Sequence, residues 1–408
     1  MKGPGGLALA PDHQRNAFLL ASGMSTAGSF AGLTAKGWIL MAGTGDPLLL
    51  ALHFAALALP SLLVSGPAGV LTDRVGCERV LVRAQWALLG AALLGAAAIP
   101  LLRNRTQVVV LLLSSLLSGV ASTYELTARN KYTALLVERP EQLAPYLASF
   151  SVVFNVGKLV GPPLGGWLVA LAGPALALAI DAASFLLPIA TVAWLLKPRL
   201  ELEQRSHGPS TSLLAAWRGC GPILRRMLRF TTLACVVGFF HPGLAPLIAA
   251  RLVGPSPQAL GIYTSVLAAG SICGGVALQR NSRWLSERPF LLLGASAALT
   301  GVAQLGMAAS GSSGFSLAMS FLIGAGTASL LAGANLIGQV GAPMELRGRM
   351  AGLGQIAFLG GGGFSGVMAA LLVQRLGLTP TFGLMGSLGL ALALWELGRS
   401  HGLRLRSA

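Results

Sequence analysis

The chain has 408 residues, of which 54% are hydrophobic and 10% are charged, and its mean hydropathy is +0.72. Soluble globular proteins carry about 25% charged residues, so this composition excludes that class and indicates a polytopic membrane protein. The net charge of +16 does not indicate a nucleic-acid partner. The basic residues lie in short loops between apolar segments and form no basic face interleaved with aromatic side chains.

Twelve apolar segments follow one another, each near the roughly 20 residues that a membrane helix requires. Predicted helices 1 to 12 lie at about 17–42, 47–71, 80–101, 107–128, 143–171, 174–196, 229–250, 258–279, 289–309, 313–340, 347–374 and 378–398. The pattern predicts an all-α integral membrane protein. We expect a cytosolic tail at 1–16, a six-helix bundle at 17–196, a basic cytosolic linker at 197–228, a second six-helix bundle at 229–398 and a cytosolic tail at 399–408.

Two further features concern symmetry and orientation. The segments 137–143 and 340–346 share Val, Pro and Leu at equivalent places, which indicates that the two bundles are pseudo-symmetric copies. Of the 29 Lys and Arg, two lie within predicted helices, four in outer loops and 23 on the inner side if both ends are cytosolic. Because cytosolic loops are enriched in Lys and Arg, we expect both termini in the cytosol of a multi-pass membrane protein.

The turn between helices 2 and 3 carries a charged motif, Gly69-Val-Leu-Thr-Asp73-Arg74-Val-Gly76-Cys-Glu-Arg79. Its glycines permit a tight turn. Asp73 can pair with Arg74 or Arg79, or face the positive N-terminal end of another helix. The turn is therefore predicted to act as a gate that braces one conformation, and the alternative is an ordinary basic inner loop.

Helix 5 carries a glycine motif within an apolar segment, with the members Gly157, Lys158, Gly161, Pro162, Gly165 and Gly166. Glycines four residues apart leave one helix face without side chains, so a neighbouring helix can approach closely. Pro162 removes a backbone donor and favours a bend. A lysine beside that bend is costly in lipid, and it is therefore a candidate functional residue.

These two motifs resemble those of the major facilitator superfamily, G-x-L-x-D-R-x-G-R-K between helices 2 and 3 and the antiporter motif G-x-x-x-G-P-x-x-G-G in helix 5. Cys77 and Glu78 replace the usual basic pair. The chain is similar in particular to the enterobactin exporter and the macrolide and multidrug efflux branch, at 44–47, 181–185 and 346–349. The resemblance implies a twelve-helix transporter whose first and fourth helices of each half line a central cavity.

Polar stripes on helices 1 and 4 give candidate site residues. Small and polar residues recur at helical spacing at Ser22, Ser25, Ser29, Gly32 and Lys36, and at Ser115, Ser118, Ser122, Glu125 and Arg129. Glu125 and Arg129 are one turn apart and can pair, either as a brace or as a substrate contact.

His53 and His241 can titrate near neutral pH, or they are packing residues. Glu396 is expected to reach the membrane interface.

Lys36 and Asp181 are predicted to lie at matching depths. Each is about seven residues from the outer end of its helix, which at 1.5 Å per residue places both about 10 Å deep, whereas Lys158 is about 20 Å deep. We expect Lys36 and Asp181 to pair and Asp181 to exchange protons. The alternative is that each meets water or a backbone carbonyl separately.

The expected function is export of a small amphipathic or hydrophobic solute, drug-like or siderophore-like, by alternating access with proton antiport. The expected partners are this small-molecule substrate, protons and the lipid bilayer, and the expected state is a monomer without cofactor or metal. Alternatives are a facilitator or a lysophospholipid flippase of the same fold. From other classes, a transport-dead regulator and a membrane-embedded enzyme remain, although no catalytic constellation supports an enzyme.

Overall fold

The computed structural model describes residues 11–137, 140–196, 221–280, 288–341, 353–354 and 356–400. Much of the predicted linker (197–220), most of both predicted tails (1–10 and 401–408) and the similar segment at 346–349 lie outside the described residues.

The described residues form the twelve membrane helices expected from the sequence, and the fold class is confirmed. They are α1 Pro11–Thr44, α2 Pro47–Val75, α3 Cys77–Leu101, α4 Asn104–Leu135, α5 Pro140–Ala172, α6 Pro174–Leu195, α7 Pro222–Leu252, α8 Pro257–Arg280, α9 Pro289–Ala308, α10 Ser313–Gly341, α11 Ile356–Leu376 and α12 Leu378–Ser400. Eleven of them, α2 to α12, are apolar and long enough to cross a membrane. The 34-residue α1 is also long enough, and its polar stripe explains its lower hydropathy.

Three of the membrane helices are interrupted near a proline. In α2 the break is at Leu59, directly before Pro60, and in α6 it is at Phe185, shortly before Pro188. In α7 the break is at Phe239 and Phe240, close to Pro242. Proline has no N–H to donate and its ring clashes with the carbonyl four residues earlier. Each break therefore leaves backbone carbonyls in the apolar region that need other donors.

The contacts between Cα atoms divide the chain into two units. The first contains Met1–Gly45, Ala56–Ser206 and Ser256–Ile262, and the second contains Asp46–Ala55, His207–Pro255 and Tyr263–Ala408. In the first unit α1 packs against α5 and α6, and α3 packs against α4 and α6. In the second unit α9 packs against α10 and α12, and α7 packs against α11. Each unit has its own apolar core, around Phe18 and Tyr132 in the first and around Phe230 and Leu293 in the second.

A buried ion pair joins the start of α7 to the end of α12 in the second unit. Arg226 Nε donates to Glu396 Oε1 at 2.9 Å, and the Glu396 side chain is only 1% exposed. The Arg226 guanidinium also lies over the Phe290 ring of α9, 4.4 Å from its centroid. The expectation that Glu396 reaches the interface is wrong, because α7 and α9 cover this end of α12. α7 begins at Pro222 rather than at the predicted 229, with a proline at its first position, which favours a helix start there.

Candidate functional site

The glycine motif of α5 forms the contact between α5 and α1. A Cβ added at Gly157 would lie 3.1 Å from Ala27 N, and one added at Gly161 would lie 2.5 Å from Ala27 O. At Gly165 it would lie 2.7 Å from Ala31 Cα. All three neighbours are backbone atoms, so the two helices are as close as their main chains permit.

The same motif contacts the start of α8 with its other face. A Cβ added at Gly166 would lie 3.0 Å from the carbonyl carbon of Pro257, within the first unit. A Cβ added at Gly261 of α8 would lie 2.7 Å from the carbonyl oxygen of Pro162 and 2.9 Å from Pro163 Cα. The motif therefore packs against two different helices, whereas the glycine spacing alone predicted one helix face without side chains.

The turn between α2 and α3 is connected to the end of α4. Asp73 Oδ1 lies 3.2 Å from Lys131 Nζ, and both side chains are solvent-accessible. The sequence left Asp73 to pair with Arg74 or Arg79 or to face the N-terminal end of another helix, whereas in the structure its ion-pair partner is Lys131 of α4. Gly76 makes the turn with a φ of 98°, which favours glycine. An exposed pair of this kind contributes about 0–1 kcal/mol to stability.

A cavity of about 350 Å³ lies between α1, α4 and α5 in the first unit. Aromatic rings, amides, a hydroxyl and one cation contribute to its lining: Phe150, Phe154, Asn130, Asn155, Ser151 and Arg129. Ser22 and Thr26, from the polar face of α1, complete it on that side. Pockets for drug-sized ligands are mostly apolar with a few placed polar groups, and this lining has that mixed character.

The cation of this cavity is balanced by a buried carboxylate. Arg129 Nη1 lies 3.3 Å from Glu125 Oε1, one turn earlier on α4. Gln85 of α3 donates to the same oxygen at 3.3 Å. The structure therefore brings Glu125 and Arg129 together as their spacing predicts, and it adds Gln85, which no local spacing could identify.

Lys36 is held by a hydroxyl group. Its Nζ donates to Ser114 Oγ of α4 at 2.7 Å, and Ser114 Oγ in turn donates to the carbonyl oxygen of Ala91 in α3 at 2.7 Å. Lys36 is 5% exposed and Ser114 is fully buried. The expected ion pair with Asp181 is not formed: these side chains lie close enough for their charges to interact, but beyond ion-pair distance.

Asp181 of α6 packs directly against α1. A Cβ added at Gly32, one turn before Lys36, would lie 2.6 Å from Asp181 Cγ. Asp181 is 6% exposed, and its Oδ1 is buried without a hydrogen-bond partner. Lys158 lies elsewhere: it is half-buried in α5 and forms no ion pair with any residue that the structure describes. Of the two lysines within the membrane, Lys36 is therefore the neighbour of Asp181.

The two candidate histidines belong to the second unit and are buried. His241 begins the second segment of α7, and its Nε2 lies 3.0 Å from Gln304 Nε2 of α9. Gln304 also donates to the Gly238 carbonyl at 3.2 Å, which satisfies an acceptor freed by the break in α7. His53 lies in the first segment of α2 and is 4% exposed. Neither histidine is among the residues that line the cavity.

The family follows from comparison with known proteins. A sequence model described as Major Facilitator Superfamily matches residues 18–366, which is most of the chain. The chain belongs to this superfamily. Members of this superfamily and the relatives below are transporters, so this chain is a multi-pass membrane transporter and not an enzyme.

Individual relatives agree with this assignment. The chain is 27% identical over 392 residues to "Multidrug efflux pump Tap" of Mycolicibacterium fortuitum, with 91% of each chain covered. It is 28% identical over 198 residues to Tap of Mycobacterium tuberculosis strain H37Rv, which covers 47% of this chain and 46% of that relative.

Solved transporter structures share the fold. A nucleoside transporter NupG structure has a TM-score of 0.78 at 11% identity, covering 94% of this chain and 99% of that chain. A bacterial homologue of the iron transporter ferroportin has a TM-score of 0.71 at 17% identity, covering 95% and 98%. At these identities the likeness establishes the fold alone.

Proposed function

We propose that this transporter exports small amphipathic or hydrophobic solutes, drug-like or siderophore-like, by alternating access and in exchange for protons. The observation that carries the proposal is the mixed cavity between α1, α4 and α5. The full-length similarity to a multidrug efflux pump supports the outward direction of transport. Proton entry is a suitable driving force, since moving one charge through 100 mV is worth about 2.3 kcal/mol.

The lining of the cavity favours cargo that is partly apolar and carries hydrogen-bonding groups. Its volume of about 350 Å³ falls within the roughly 300–1,000 Å³ typical of small-molecule pockets. Phe154 is 43% exposed and offers a ring face, while Asn130 and Asn155 offer amides. Because Glu125 balances the charge of Arg129, the cavity does not require an anionic cargo. These features suit a broad range of neutral or weakly charged solutes.

Replacing Phe154 with Ala should weaken cargo binding. Loss of one aromatic contact removes about 1 kcal/mol or more, and about 1.4 kcal/mol corresponds to a tenfold change in affinity. The measurement is the fluorescence titration of purified protein with ethidium and rhodamine, together with dye efflux from cells. Phe364→Ala is the matched control, because Phe364 is 60% exposed on α11 and does not line the cavity. Equal affinities of Phe154→Ala and the wild type for both dyes would place the cargo elsewhere.

The loop charges support the accompanying proposals on location. With 23 basic residues predicted on the inner side, we place both termini in the cytosol, in a bacterial inner membrane. Reporter cysteines at Gly221 and Gly311, where the added side chain meets no atom within 4 Å, should then be modified from opposite sides of the membrane.

A further inference from the structure

A second polar cluster in the first unit lies apart from the residues that line the cavity. It consists of Lys36 on α1, Ser114 on α4 and Asp181 on α6, each at most 6% exposed. None of the three lines the cavity between α1, α4 and α5. Charged groups inside membrane segments are costly and mark ion or proton pathways. This cluster therefore requires a function of its own.

Two glycines leave room for the charged side chains. A Cβ at Gly32 would lie 2.6 Å from Asp181 Cγ, so only glycine accommodates the carboxyl group there. A Cβ at Gly95 of α3 would lie 3.2 Å from Lys36 Cε and 3.0 Å from Ser114 Oγ. The backbones of α1 and α3 are thus shaped around the ends of both charged side chains.

The hydrogen bonds correspond to one particular charge state. Lys36 donates to Ser114, whose own hydrogen goes to the Ala91 carbonyl, so the hydroxyl has no hydrogen left to donate to Asp181. Asp181 Oδ1 is buried and accepts no hydrogen bond. Burial without a hydrogen bond penalises a charged carboxylate far more than a neutral carboxyl group. The geometry therefore favours a protonated Asp181 beside a charged Lys36.

Among the described residues, Lys36 is the one charged group that interacts with Asp181. The helices packed against α6 are α1, α3 and α5. On α5, Lys158 does not interact with Asp181, and the charges of α3, at Glu78, Arg79 and Arg83, lie at the far end of that helix. On α4, Glu125 is eleven residues beyond Ser114, or about 16 Å along the helix axis.

We propose that Asp181 is the proton-binding group of this transporter and that Lys36 moves between Ser114 and the Asp181 carboxylate as the proton leaves and returns. The inference rests on the proton exchange proposed above. On binding, an O–H bond forms at Asp181 and Lys36 stays with Ser114. On release, the proton passes to water on the cytosolic side, and the carboxylate left behind attracts Lys36, which keeps its own three hydrogens throughout. No other bond is made or broken.

Reconstituted liposomes separate coupling from transport. Exchange of radiolabelled for unlabelled ethidium needs no net proton movement, whereas accumulation of ethidium against its own concentration gradient must be driven by the pH gradient. With about one pH unit across the membrane, one-for-one antiport should accumulate ethidium up to about tenfold. In Asp181→Asn and Lys36→Met, the ratio of internal to external ethidium should stay at about one, while exchange of labelled for unlabelled ethidium continues. Glu141→Gln, an exposed carboxyl at the start of α5, should behave as the wild type.

The outcomes distinguish the two proposals. Gradient-driven accumulation by Asp181→Asn at the wild-type level would overturn the role of Asp181 and leave export intact. Wild-type protein that exchanges ethidium but never accumulates it would overturn the proposed proton coupling, and the inference with it.

A second measurement uses the wild-type protein without cargo. Dicyclohexylcarbodiimide modifies protonated carboxyl groups in apolar surroundings, and peptide mass spectrometry locates the adduct. Asp181 should be modified, and less so as the pH rises. Glu396, equally buried but paired with Arg226, should stay unmodified and is the matched control. An unmodified Asp181, or modification that does not change with pH, would overturn the inference even if the variants fail to fold.

Discussion

Replacing Arg226 with Met should destabilise the protein by about 3–5 kcal/mol, the usual cost of removing one partner of a buried ion pair. Glu396 is 1% exposed, so its carboxylate cannot reach water once the guanidinium is gone. The contact with the Phe290 ring is lost as well. The double variant Arg226→Met with Glu396→Leu should recover most of the loss, because apolar replacement of a whole buried pair is often neutral or stabilising.

Thermal unfolding in detergent measures this effect. Arg399→Met is the matched control: Arg399 also lies over an aromatic ring, 4.7 Å from the centroid of Trp395, but that ring is 53% exposed. An exposed cation–π contact is worth about 0.5–1 kcal/mol, so this control should change the unfolding temperature little. Similar small losses in both arginine variants would show that the buried pair does not stabilise the second unit.

Replacing Gly165 with Ala should separate α5 from α1 and abolish transport. The added Cβ would lie 2.7 Å from Ala31 Cα and 2.9 Å from the Ala31 carbonyl carbon. These are main-chain atoms, so the clash is relieved only by moving a whole helix. Overpacking costs about 1–3 kcal/mol, and a contact between two backbones belongs at the upper end of that range.

The matched control for this prediction is Gly90→Ala in α3, where an added Cβ meets no atom within 4 Å. Alanine is the better helix former by about 1 kcal/mol, so this variant should unfold at the same temperature as the wild type or slightly higher. Dye efflux and thermal unfolding are measured for both. If Gly165→Ala transports and unfolds like Gly90→Ala, the close approach of α1 and α5 is not required.

Features that depend on a short stretch of chain could be predicted from the sequence. The twelve helices follow from apolar length, and the pairing of Glu125 with Arg129 follows from one turn of helix. The helix face without side chains at Gly157, Gly161 and Gly165 follows from the spacing of the glycines. In each case the chain brings the residues together within one helix.

Contacts between helices could not be predicted in the same way. Asp73 and Lys131 are 58 residues apart, Lys36 and Ser114 are 78 apart, and Arg226 and Glu396 are 170 apart. Periodicity gives the polar face of each helix, but not the rotation and register of its neighbours. Matching depths placed Lys36 near Asp181, yet the hydrogen bond to Ser114 also depends on the sideways position of α4. Glu396 was misplaced because its distance from a helix end does not reveal that α7 and α9 cover that end.

Uptake into inverted membrane vesicles tests the central claim most directly, because their cytosolic face is outward. We expect dyes or other amphipathic solutes from a panel that includes macrolides, siderophores and lysolipids to accumulate inside when the interior is acidified. The accumulated solute should leave when an ionophore collapses the pH gradient. Uptake that only equalises the concentrations, with or without the gradient, would indicate a facilitator and would contradict export driven by protons.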